Sequence, residues 1–141
     1  MKDYDKVLRV VSKAMIPFII VFALYVQFHG DYGPGGGFQA GVILAAGLIF
    51  YSLIYGLKIT KQLVPPRVIE VLMAFGVMLF TSVGLLGQLM GSNFLDYSVL
   101  SQYPVKGQHY GIFLVEIGVG ITVFAVMLTI FYMFVGRNRD D

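Results

Sequence analysis

Apolar residues run through this chain in four long blocks that polar positions barely interrupt. The first is Ala14 to Phe28, reaching back to Val10 once Lys13 extends its ammonium to an interface. Phe38 to Leu57 follows without one charge, Val68 to Met90 carries only Glu70, and Tyr110 to Val135 only Glu116. A soluble helix would show polar residues recurring every three to four positions, and none of the blocks does. Each offers about the 20 residues that take a helix across a hydrocarbon core roughly 30 Å thick. The pattern predicts an all-α integral membrane protein with four transmembrane helices in a single membrane domain, residues 1–141. The helices are expected at about 5–28, 37–58, 66–90 and 109–136, with a glycine-rich outer loop at 29–37 and a second outer loop at 91–109.

Composition sharpens this. Of the 141 residues 57% are hydrophobic and 13% charged, about half the charge of a soluble domain. There is no cysteine, which excludes a disulfide framework, a thiolate metal site and a cysteine nucleophile. The basic flank of the first block resembles a signal peptide, but no small-x-small cleavage site follows Phe28, so an uncleaved helix is expected. Lys2, Lys6, Arg9 and Lys13 lie before the first loop, Lys58, Lys61 and Arg67 between the second and third helices, and Arg137 and Arg139 at the end. Nine of the ten basic residues therefore share one side, and only Lys106 lies on the other. The positive-inside rule puts both termini in the cytoplasm. The stripe from Lys2 to Lys13 also suits anionic lipid headgroups.

Glycine is the second signal, with 17 in the chain. Gly33, Gly37, Gly41 and Ala45 recur every four residues, and small residues at that spacing let helices pack closely in lipid. Gly111, Gly118 and Gly120 surround Glu116. Such faces serve packing among the chain's own helices and against other subunits. The stretch His29-Gly30-Asp31-Tyr32-Gly33-Pro34-Gly35-Gly36-Gly37-Phe38 fits neither a dinucleotide fingerprint nor a P-loop, and it lacks the phosphate-pairing lysine. It reads as a tight turn, stiffened by Pro34, that packs beneath other protein. The loop from Gly91 to His109 is studded with Phe94, Tyr97 and Tyr103, which predicts a loop that lies in the interface, or else docks on a partner.

Two stretches go further. HGDYGPGGGFQAGVILAAGLIFY (29–51) and GQHYGIFLVEIGVGITVFAVM (107–127) resemble the two signatures of the B subunit of Mrp-type, or Mnh-type, sodium/proton antiporters. Size, helix layout and motif order are similar too, so the resemblance covers nearly the whole chain. It implies a hetero-oligomeric complex of several antiporter subunits in the cytoplasmic membrane of a prokaryote, related to the membrane arm of respiratory complex I. It implies Na+ and H+ as the transported ions of that complex, with no cofactor. Similar subunits occur in ion-pumping hydrogenase-like complexes, which stand as the alternative parent machine.

Ionisable groups inside a bilayer are candidates for function because burying them is costly. Glu116 is the clear case, six residues or about 9 Å past Tyr110. His109 lies seven residues earlier, on nearly the same face. These two are the ion-related candidates, and Pro34, Gly35, Gly36, Gly37, Phe38, Gly41 and Gly120 are the candidates for the turn and for helix packing. An ion pair between Arg67 and Glu70 is expected at the start of the third helix. His29 and His109, 80 residues apart, make no metal site, and no nucleophile–base pair or cofactor motif appears, so no enzyme is expected. A small homodimeric exporter built around Glu116 and a purely structural adaptor are the competing classes. Against the first, the glycine turn and aromatic loop are shaped for contact with other proteins.

Overall fold

A computed structural model describes residues 3–30 and 35–137, with side chains from residue 6 onward. Asp31, Gly33 and Pro34 lie outside the described residues. Helix α1 runs Asp3–Phe28, with Pro17 inside it. Helix α2 is Gly37–Tyr55, α3 Leu57–Leu63, α4 Pro66–Leu89 and α5 Pro104–Arg137. A 3-10 turn at Ser98–Leu100 precedes α5, and no strand occurs among the described residues. Four of the helices, all but α3, are long and apolar enough to cross a membrane. The fold is an all-α, four-span bundle.

Residues 37–58, expected as one helix, divide at Gly56. Its φ of +96° is a conformation glycine adopts without strain, and it closes α2 through Gly56 N–H to the Ser52 carbonyl, 2.9 Å. The short α3 then starts afresh, with Thr60 Oγ1 donating to the Gly56 carbonyl at 3.2 Å. Pro66 opens α4, a first-turn position where the missing N–H costs nothing. At the other end, α5 begins at Pro104 rather than 109, its first turn closed by Gly107 N–H to the Tyr103 carbonyl, 3.0 Å.

The centre of the bundle is α5. Gly118 and Gly120 are two residues apart and so project about 200° apart around it. Gly118 faces α4, where a β-carbon on Gly76 would lie 2.7 Å from its carbonyl oxygen. Gly120 faces α2, where a β-carbon on Gly41 would lie 2.5 Å from its carbonyl oxygen. One helix thereby takes a close neighbour on each side. Helix α1 leans on α2, with Gly47 against Ile19. The densest core gathers Ala45, Leu57, Ile69, Phe124, Ala125, Leu128 and Tyr132 near the end that bears the chain termini. There the Tyr132 hydroxyl donates to the Val64 carbonyl at 3.1 Å, tying α5 to the link between α3 and α4.

The opposite end, the loop end, is uneven. Gly37, the first residue of α2, packs on the backbone of Glu116, thirteen positions into α5. Helices α4 and α5 therefore rise beyond α1 and α2, and the loop between them folds back on their tips. Tyr97 fills the niche at Gly111, Phe94 that at Gly84, and a β-carbon on Gly87 would lie 2.7 Å from the Asp96 carbonyl oxygen. Of these aromatics Tyr97 is buried on the chain itself, at 8%, whereas Phe94, at 47%, and Tyr103, at 65%, stay exposed. Asp96 organises the loop. It accepts from the Ser92 hydroxyl, the Ser98 hydroxyl at 2.7 Å, the Ser98 amide at 3.1 Å and the Gln108 amide at 3.4 Å. Those bonds, Ser92 foremost, hold its carboxyl below the usual aspartate range.

Candidate functional site

On the step between the short and the tall pair of helices lies an open hollow of about 340 Å3. Gly35, Gly36, Gly37, Phe38 and Gln39 line it from the start of α2, and Val115, Glu116 and Val119 from α5. Glycine is required here by proximity. A β-carbon on Gly36 would sit 2.6 Å from Glu116 Oε1, and one on Gly30, just past α1, 2.6 Å from Glu116 Oε2. One on Gly37 would overlap the Glu116 backbone carbonyl. Gly30, Gly36 and Gly37 close around one carboxylate.

The wrapping has an electrostatic side. Gly36 caps α2 with no side-chain hydrogen bond, so the first amides of that helix lack the usual capping oxygen. The Glu116 carboxylate, carried over from α5, lies beside that cap, where the helix dipole favours negative charge. A partly buried carboxylate beside an open polar hollow can take up and release a proton or a small cation. Among the described residues no three His, Asp or Glu side chains converge as a metal site.

One helical turn further into the bundle, Gly120 packs against Gly41 of α2 and against Gln27 of α1. Gln27 Oε1 would lie 2.6 Å from a β-carbon on Gly120, and Gln27 Nε2 is buried with no hydrogen-bond partner among the described residues. Of the candidates named from the sequence, Glu116 and Gly35 to Phe38 share the hollow, with Gly41 and Gly120 directly beneath. His109, two turns nearer the loop end, is exposed and does not line it. Pro34 lies outside the described residues. Because α5 starts at Pro104, Glu116 stands about 18 Å from the helix start rather than 9 Å from it, yet level with the first turn of α2.

The carboxylate and the glycines around it fall within a single family match. A family profile described as "Domain related to MnhB subunit of Na+/H+ antiporter" matches residues 7–129. The chain belongs to the MnhB family. Proteins of Staphylococcus aureus strains Newman, JH1 and COL that carry the name antiporter subunit mnhB2 are each 30% identical to it over 133 residues. The match covers 92% of this chain and 94% of each relative. The MnhB match includes every residue of the hollow, both glycine-rich stretches and Gln27.

Membership makes this MnhB chain a multi-pass membrane subunit of an Mnh/Mrp-type antiporter. Two polar residues of the hollow's surroundings, Gln27 and Gln39, escaped sequence reasoning. Gln27 did carry a signal, as the only amide in the first apolar block; Gln39 was hidden among the glycines. Glu70 also differs from expectation. It forms no ion pair with Arg67 among the described residues and lines a cavity together with Thr129 and Met133.

Proposed function

We propose that this chain is a non-catalytic subunit of a heteromeric antiporter exchanging Na+ for H+ across the cytoplasmic membrane of a prokaryote. The observation that carries this reading is the family match over residues 7–129, which contains the glycine turn and the carboxylate it encloses. Glu116 handles the transported ion or proton at the loop end, with His109 above it on the same helix. Pro34, Gly35, Gly36, Gly37, Phe38, Gly41 and Gly120 shape the turn and the close packing that hold the carboxylate in place. The exposed apolar faces of α1 and α4, including Phe18, Val21, Val71 and Met78, meet lipid or partner subunits.

Two measurements test the reading. A tagged chain solubilised from its native membrane is expected to bring partner subunits with it, and vesicles lacking the chain are expected to lose Na+-dependent collapse of a pH gradient. Recovery as a lone homodimer, with gradient collapse intact in its absence, contradicts the reading. Orientation is tested separately by single cysteines in this cysteine-free chain. Gln39→Cys, in the hollow, is expected to react with a membrane-impermeant thiol reagent outside intact cells, and Gln62→Cys, on α3, only after permeabilisation. The reverse pattern inverts the topology.

A further inference from the structure

At the terminal end, α3, α4 and α5 enclose a cavity of about 240 Å3 that ion exchange at Glu116 does not use. Lys61 and Glu70 both line it, and among the described residues they form no ion pair with each other or with any third group. Lys61 instead stands over the Tyr132 ring, 5.7 Å from its centroid. The Tyr132 hydroxyl donates to the Val64 carbonyl, and Lys61 meets the face of the ring. Among the described residues no acceptor takes the ammonium donors of Lys61, which can meet an acceptor placed in the cavity. Glu70, an exposed residue, lines the cavity from α4 and can bring two acceptor oxygens to its mouth. The remaining wall is mostly apolar: Pro66, Ile69 and Met133, with Thr129 on one side.

Opposite charges held apart across a small cavity with an apolar wall match a zwitterion attached to hydrocarbon. The depth agrees, since Glu70 is four residues, or about 6 Å, from the start of α4, at the level of a headgroup region. Beside the cavity Val71 and Met133 are exposed apolar side chains, against which acyl chains can lie. We propose that this cavity binds the headgroup of a phospholipid bearing a primary ammonium, its phosphate on Lys61 and its ammonium on Glu70. A quaternary ammonium has no N–H to donate to Glu70. A purely anionic headgroup sets its charge against that carboxylate.

The test is native mass spectrometry of the full chain offered equal amounts of phosphatidylethanolamine, phosphatidylcholine and phosphatidylglycerol with identical acyl chains. Phosphatidylethanolamine is expected to be retained about three- to fivefold over either competitor, the size of one exposed ion pair. Glu70→Gln, an isosteric change at an exposed site, is expected to pass the preference to phosphatidylglycerol. Lys61→Gln is expected to reduce retention of all three. A wild-type chain that retains phosphatidylglycerol best, or a lipid order unchanged by Glu70→Gln, overturns the proposal. Transport is not the readout, so either failure leaves the antiporter reading intact.

Discussion

Gly37→Ala is expected to destabilise the bundle by about 3 kcal/mol or more, lowering the thermal midpoint of the detergent-solubilised chain by roughly 6–12 °C. The new methyl group would occupy the position of the Glu116 backbone carbonyl, and backbone on a 34-residue helix cannot rotate aside as a side chain can. Relief requires α2 to move off α5, which also opens the contact between Gly41 and Gly120 one turn deeper. The control is Gly136→Ala on α5. Among the described residues a β-carbon there meets only Lys61 Nζ at 3.8 Å, ordinary contact, and alanine favours helix over glycine by about 1 kcal/mol. That variant should be neutral or slightly stabilised. Equal effects from the two substitutions would mean that α2 and α5 do not approach each other closely at Gly37.

Four spans were legible because burying charge in hydrocarbon is so costly that a spanning helix must be long and nearly uncharged. The break at Gly56 was not, because a hydrophobic run reports which residues avoid water and not where a helix turns. Tyr55 and Leu57, on either side of it, continue the same uncharged run. The early start of α5 was hidden for the opposite reason. Lys106, Gln108 and His109 look like a loop, yet they stand on a helix that rises beyond α1 and α2. Small-residue spacing pointed to close packing without naming the partners. That Gly118 serves α4 and Gly120 serves α2 follows only once the helices are placed. The same holds for the site. A carboxylate in an apolar helix is visible in the sequence, but its enclosure by Gly30, Gly36 and Gly37 joins segments some 80 residues apart.

Glu116→Gln is the substitution with the largest expected effect on transport. The amide has nearly the size of the carboxylate, so Gly30 and Gly36 still accommodate it and the turn keeps its shape. What disappears is the charge at the start of α2 and the capacity to bind and release a proton in the hollow. Assembly of the complex is therefore expected to survive, while exchange falls on the order of tenfold or more. Glu116→Asp keeps the charge but withdraws it from Gly30 and Gly36, and should retain part of the activity. The decisive measurement is Na+-dependent collapse of a pH gradient in everted vesicles, normalised to the amount of assembled complex. Glu116→Gln should assemble normally and lose nearly all exchange; undiminished exchange by that variant would show that the enclosed carboxylate does not handle the ion.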